Sequence, residues 1–345
     1  MVDKLLKLLL LLSPIAYTTG ISLGLFDVVF FRLGMIALFC ASLFDKPKRN
    51  IKLALPIALI LGLCVFNLFT HGFNQVIFSY TFNMFLALLG LSIIVNYASP
   101  LKEFSKWIVG AILINIFVFI MQKFGFNPIL NSSIENGGIM GNAPRLAGYL
   151  TITLPILFSF SLWFILLIFL LSLILKEYVL LGVGIVYLFM KFKNRVIRLS
   201  LIGISVSGII LLHNEIICSL ITTRWILWKP TLEMIFNHPL NGFGLGLFQN
   251  LSNQFINSKG YQVDYAMNSY LEFILGAGLT GLVLIVLGIR KFIKSFDFSI
   301  EAFGVLALLF LACLEYPLEI PRLWITIIFI IGMFIIKKGK VQDVA

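Results

Sequence analysis

Apolar runs of membrane-spanning length follow one another along nearly the whole chain, and this repetition limits the fold more than any other feature. A helix crossing a bilayer takes ~20 apolar residues, because hydrocarbon offers no partner for an open backbone N–H or C=O. Such runs lie near residues 5–25, 26–44, 52–69, 76–97, 104–124, 145–160, 161–175, 178–191, 197–213, 268–289, 299–316 and 320–336. Of the 345 residues, 60% are hydrophobic and only 12% charged. A soluble domain carries about a quarter charged residues. The expected fold is therefore an all-α polytopic integral membrane protein of about 12 transmembrane helices forming one membrane domain over 1–345. Too little chain remains between the runs for a separate soluble catalytic domain. The run from Leu5 resembles the apolar core of a signal peptide, but it continues to Leu25 without a small-residue cleavage site and reads as a first span.

The net charge of +11 suits a nucleic-acid binder until the positions of the charges are considered. Lys and Arg cluster at 4–7, 46–52, 102–106, 191–198, 290–294 and 337–340, in every second turn between runs. That alternation is the positive-inside pattern, so the basic residues orient the chain and no nucleic-acid partner is implied. Both termini are then cytoplasmic, and parity requires three short spans in 145–191, with an outer turn at Lys176 and Glu177. One long segment, 214–267, falls outside, between the ninth and tenth spans. It contains two stretches with helical spacing of apolar residues, 220–236 and 248–257, expected to be short amphipathic helices at the outer surface. Cys40, Cys64, Cys218 and Cys313 form no Cys-x-x-Cys or Cys/His cluster, which indicates neither a disulfide framework nor a metal site.

Eight cations lie outside the basic turns: Arg32, Lys123, Arg145, Lys176, Arg224, Lys229, Lys259 and Arg322. All but Arg32 fall at or near the outer ends of the runs, where orientation does not need them. Arg145 follows a turn-rich stretch, Asn136 to Pro144, straight into a span, either as an interfacial side chain or as a ligand. Arg322 follows Glu315, Pro317, Glu319 and Pro321 and is placed to pair with Glu319. Asp27 and Arg32 are the buried-looking charged pair, five residues apart and so offset on one helix. The glycines Gly242, Gly244 and Gly246 make a plain turn or expose N–H groups to an anion, the turn being the more economical reading.

Three blocks in order carry a resemblance. Asn142 to Ala147 open a central span. Arg224 to Trp228 lead to Pro239-Leu240-Asn241-Gly242-Phe243-Gly244-Leu245-Gly246-Leu247-Phe248. Asn268-Ser269-Tyr270-Leu271-Glu272 then precede Gly278-Leu279-Thr280-Gly281-Leu282. The arrangement resembles the O-antigen ligase/polymerase family of membrane glycosyltransferases, most closely over 136–290. Met267 stands where that family has a histidine before the asparagine, and a thioether cannot act as a base.

The resemblance implies transfer of a glycan from a polyprenyl-pyrophosphate carrier to an acceptor hydroxyl at the outer face of a bacterial cytoplasmic (inner) membrane. The acceptor would be a growing glycan, a lipid A core or another hydroxyl. It implies no cofactor, and no Asp-x-Asp lies near an outer surface. Arginines would neutralise the departing pyrophosphate through forked hydrogen bonds, and Arg224, Arg145 and Arg322 are the candidates. Glu272 and Asp264 flank the missing histidine and are the candidate bases, while Asn268 and Tyr270 belong to the motif. His71 and His238 are weaker candidates, and His213 sits at a span end. A polysaccharide transporter or flippase, and a non-catalytic scaffold, are the competing readings.

Overall fold

The computed structural model describes residues 1–15, 23–51, 53–126, 138–140, 143–160, 167, 171, 178–192, 223–255, 265–315 and 317–342. Among these the regular structure is helical throughout. The helices are α1 (Val2–Leu12), α2 (Leu23–Phe44), α3 (Ala54–His71), α4 (Gln75–Tyr97), α5 (Ser105–Lys123), α6 (Ala143–Phe160), α7 (Tyr178–Lys191), α8 (Thr223–Asn237), α9 (Phe248–Phe255), α10 (Ser269–Ser295), α11 (Ile300–Leu314) and α12 (Pro321–Gln342). Four segments are long and apolar enough to cross a membrane: Asp27–Phe44, Gln75–Tyr97, Ser105–Lys123 and Ser269–Ser295. Ile57–His71 and Ile300–Leu314 are shorter apolar helices. The expected runs at 161–175 and 197–213 and the turn at Lys176 and Glu177 lie outside the described residues, as does Cys218. The first run differs from expectation, because α1 ends at Leu12 and gives way to a turn at Ser13–Ile15. Pro14 has no N–H to continue the ladder, and Ile15 N turns to Leu12 O at 2.9 Å.

α12 is the central post. Leu323 to Ile330 are consecutively buried, the pattern of a helix apolar all round and enclosed by others. It packs against α4, α11 and α2, and α6 packs chiefly on α11. The peripheral helices turn large apolar side chains outward, including Leu33 and Leu43 on α2, Phe66 and Phe69 on α3, Phe117 on α5 and Val286 on α10. Hydrocarbon, not water, is the solvent that suits those faces.

The two ends of the bundle are chemically distinct. At one end the basic turns meet acidic partners. The Met1 ammonium contacts Asp45 at 2.6 Å, Lys7 reaches Glu103 at 3.6 Å, Lys337 reaches Glu301 at 3.3 Å and Lys338 reaches Asp297 at 3.2 Å. Asp3 is the hub there: it accepts from Lys48 Nζ, from Ser99 N at 2.9 Å and from Ser99 Oγ at 2.7 Å. These bonds tie α1 to the α2–α3 turn and to the residues after α4. At the other end lie His71, the glycine segment after α8, Asn268 and Glu315, joined to one another by the bonds described below.

Burial raises the Asp3 carboxyl, but the hydrogen bonds from Lys48 and Ser99 more than offset it and hold the group below its ordinary value. A carboxyl with a depressed native pKa contributes stability that is full above its unfolded value of about 3.9 and is lost as pH falls through the native one. Asp3→Asn should therefore melt a few degrees below wild type in detergent at about pH 7. The two melting curves should converge as pH is lowered through the native value. A gap of constant size across that range would contradict the role given to Asp3.

Candidate functional site

The site is organised by a break in α10. Gly278 adopts φ 59°, ψ −147° inside the helix, a left-handed conformation that interrupts the i→i−4 ladder. Leu279 N therefore donates to Pro239 O at 2.7 Å instead of to its own helix. The carbonyls left open upstream are satisfied from the same segment: Phe243 N donates to Leu275 O at 2.8 Å and Gly244 N to Gly276 O at 3.0 Å. A broken helix survives in an apolar setting only when neighbouring protein repairs its backbone bonds in this way.

Glycine makes the approach possible on both sides. Gly242 has φ 66°, and a Cβ there would run into Leu275 O and the Gly276 backbone. A Cβ on Gly278 would strike Leu240 O. Gly244 and Gly246 share the left-handed conformation. The turn is fastened further by Leu245 N, which donates to Oδ1 of the buried Asn67 at 3.0 Å, and by a 3.2 Å bond between His71 Nε2 and Asn241 O. The amides of Phe243, Gly244 and Leu245 thus all point at protein acceptors, which favours the plain-turn reading over an anion cradle. His238 packs edge-on against Phe243, with ring centroids 4.3 Å apart.

The third motif block begins α10. Asn268 is the N-cap: Oδ1 accepts from Leu271 N at 3.0 Å and Nδ2 donates to Cys313 O at 2.8 Å. Tyr270 OH donates to Leu309 O at 2.9 Å, and Ser269 N to Glu315 O at 3.1 Å. Asn268 and Tyr270 therefore pin the start of α10 to the end of α11. Glu272, in the first turn, accepts from Ala266 N at 2.6 Å, where the helix dipole also favours an anion. Met267 has φ 53°, a conformation in which histidine is several-fold enriched among non-glycine residues. Asp264 lies outside the described residues.

The candidate arginines are placed differently from one another. Arg224, in the first turn of α8, is buried; its Nη2 pairs with Oε1 of the equally buried Glu315 and its Nε donates to Leu314 O at 2.6 Å. Leu227, Thr231 and Met234 continue that buried face of α8, and Trp225, Ile226 and Phe236 are exposed opposite, so the helix expected over 220–236 is present at 223–237. α9 supplies the second short helix, burying Phe248 and Ser252. Arg145 sits half-buried in the first turn of α6, and Pro144 beside it lines one small crevice with Glu315. Arg322 lies in the first turn of α12, and its side chain, like that of Glu319, falls outside the described residues.

A cleft of about 360 Å³ opens beside the docked turn. Gly244, Gly246 and Glu272 line it, so the structure brings two of the motif blocks to one cavity, while Arg145 and Arg224 are not in its lining. The opposite wall is α4, with Gln75, Ser79, Tyr80 and Asn83, and Trp324 of α12 closes one side. Behind that wall Arg32 of α2 donates from Nε to Asn83 Oδ1 at 2.7 Å and from Nη2 to Ser79 Oγ at 2.6 Å, and lies over the Phe82 ring at 5.3 Å. An arginine has no acceptor, so it fixes the Asn83 amide with its oxygen toward Arg32 and its NH2 as the group left for a ligand. Arg32, offset from Asp27 on one helix, thus bonds across helices to α4. Gln75, Ser79 and Asn83 were legible in principle as a polar i, i+4, i+8 stripe in an apolar helix. Among the described residues no three His, Cys, Asp or Glu side chains converge on a metal position.

Compared with protein-family models and with curated proteins, the chain matches none.

Two substitutions test this geometry. Gly242→Ala should cost about 1–2 kcal/mol for the left-handed conformation alone, and more from the clash with α10. Gly62→Ala, in a helix with open space around the new methyl, should be neutral or stabilising by up to ~1 kcal/mol. Equal melting temperatures for the two variants would contradict the docking. Arg224→Ala should cost about 3–5 kcal/mol by leaving Glu315 buried without its partner, whereas Arg224→Met with Glu315→Leu should recover most of that loss. Denaturation of wild type and both variants in the same detergent would check it, and a double variant no more stable than the single one would contradict the pairing.

Proposed function

We propose that this chain is a membrane glycosyltransferase of the O-antigen ligase/polymerase type. It would transfer or polymerise a glycan from a polyprenyl-pyrophosphate carrier onto an acceptor hydroxyl at the outer face of a bacterial cytoplasmic membrane. The observation that carries the reading is the shared cleft: the glycine turn and Glu272, from separate motif blocks, face one cavity walled by amide, hydroxyl and aromatic side chains. That mixture suits a sugar, whose hydroxyls need donors and acceptors and whose carbon faces stack on rings.

In this reading Glu272 takes the proton of the acceptor hydroxyl as its oxygen attacks the anomeric carbon. The anomeric C–O bond breaks, and its electron pair leaves on the pyrophosphate. Arg145 and Arg322 are the cations assigned to that developing charge, each at the first turn of a helix. Arg224 joins them by exchanging its Glu315 partner for phosphate. Asp264 is the second candidate base. The bilayer and the docked turn limit water in the cleft, which favours transfer over hydrolysis.

A specific observation supports a second reading, a flippase for the same lipid-linked glycan: α10 is discontinuous at Gly278 and Arg32 lies within an apolar helix. One reconstitution separates the two. In proteoliposomes loaded with a polyprenyl-pyrophosphate oligosaccharide and acceptor, the transferase releases the carrier pyrophosphate, and a flippase moves the intact lipid. Glu272→Gln keeps an oxygen for the Ala266 bond, so it should fold and melt within a few degrees of wild type yet lose about 10²–10⁴-fold of the transfer rate. Full transfer by this variant, or transbilayer movement without carrier release, would overturn the proposal. Met267→His should raise the rate if the methionine limits proton transfer.

A further inference from the structure

At the basic end of the molecule, further along the α2 and α4 helices that also reach the first cleft, a second cavity of about 600 Å³ lies between α2 and α4. Its charged lining is Lys48 and Arg49, beside Asn50 in the α2–α3 turn; the helices add the polar Ser42, Ser92 and Asn96 and the apolar Phe39, Leu89 and Ile93. The turn is held firmly. Lys48 N and Arg49 N both donate to Asn96 O, at 2.8 and 3.0 Å, and Ile51 N donates to Asn96 Oδ1 at 2.8 Å. Its charges differ in how fully they are used. Lys48 Nζ is taken by Asp3 and by Ser99 Oγ, and Asp45 by the Met1 ammonium. Arg49 uses Nη1 to cap α4, donating to Ala98 O at 2.6 Å and Val95 O at 3.4 Å, and its Nε and Nη2 have no partner among the described residues. Lys46, exposed beside it, adds a further positive charge.

We propose that this cavity binds the headgroup of an anionic glycerophospholipid, its phosphodiester on Arg49 and one acyl chain against Phe39, Leu89 and Ile93. The charge complementarity names the headgroup, because a guanidinium with two unused donor nitrogens matches two phosphate oxygens. The apolar wall names a lipid instead of a free phosphate. It runs on into the exposed face of α2, where Leu33, Ile36, Phe39 and Leu43 recur at helical spacing. Cation and apolar wall are thus stacked in the order in which a membrane lipid presents phosphate and chain, at the end of the bundle where the basic turns gather. The occupied cavity would brace α2 against α4, the two helices that carry Arg32 and Asn83.

The test is native mass spectrometry of the full chain in detergent, titrated separately with dioleoyl phosphatidylglycerol, dioleoyl phosphatidylcholine and inorganic phosphate. The expected result is one phosphatidylglycerol retained at least about five-fold more strongly than phosphatidylcholine, the preference one basic side chain near an anionic headgroup confers. Inorganic phosphate in excess should not displace it. Arg49→Gln should erase the preference. Asn50→Asp, which touches none of the bonds holding the turn and places a negative charge in the lining, should erase it as well while melting with wild type. Equal retention of the two lipids, displacement by inorganic phosphate, or an undiminished preference in both variants would overturn the proposal.

Discussion

The docking of a glycine turn onto a broken helix is the constraint from which the rest of this end of the bundle follows. Once Gly278 interrupts α10, two carbonyls and one N–H are left without helical partners, and hydrocarbon cannot supply them. The segment 239–244 supplies all three through Pro239 O, Phe243 N and Gly244 N. Because both partners in that exchange are backbone, side chains at the contact would only obstruct it. Glycine on each side is the physical consequence. The turn in turn draws in α3 through Asn67 and His71, and its flank becomes one wall of the cleft that holds Glu272.

A second set of bonds fixes the start of α10, the turn that carries Glu272. The Arg224–Glu315 pair, the Ser269–Glu315 backbone bond and the Asn268 and Tyr270 side chains bind α8, α10 and α11 into one corner. Much of the Asn-x-Tyr-x-Glu pattern therefore has a structural task, and Glu272 is the member of it that reaches the cavity. Arg32 does comparable work from α2, where it orders the polar edge of α4. Charges inside an apolar bundle are costly and persist where they are paired or serve a site. Arg224 and Arg32 meet that requirement in different ways, the first by pairing with a carboxylate and the second through neutral oxygens.

How much of this was legible in the sequence depended on whether the signal was local. Helices at 26–44, 52–69, 76–97, 104–124, 268–289, 299–316 and 320–336 announce themselves by apolar runs and are present in the structure. The short helices at 223–237 and 248–255 follow from helical spacing, and the glycine pattern correctly marks a turn. Pairing across the chain was not legible. Nothing near Arg224 in sequence points to Glu315, 91 residues away, or ties Phe243 to Leu275. Arg32 drew attention only as an exception to the orientation pattern, because its partners Ser79 and Asn83 lie on another helix. Pro14, read as part of a continuous first run, in fact ends α1, a local stop that overall hydropathy obscured.

Hydrogen exchange at the amides of Phe243, Gly244 and Leu279 addresses the docked turn most directly. In the native protein, reconstituted in nanodiscs, these three N–H groups should exchange as slowly as those in the middle of α4, since each is bonded across the interface between turn and broken helix. The neighbouring exposed residues Leu240 and Asn241 should exchange at rates nearer those of an open loop. Fast exchange at Phe243 and Gly244 would mean that the turn stands free of α10, and the account of the cleft built on it would fail.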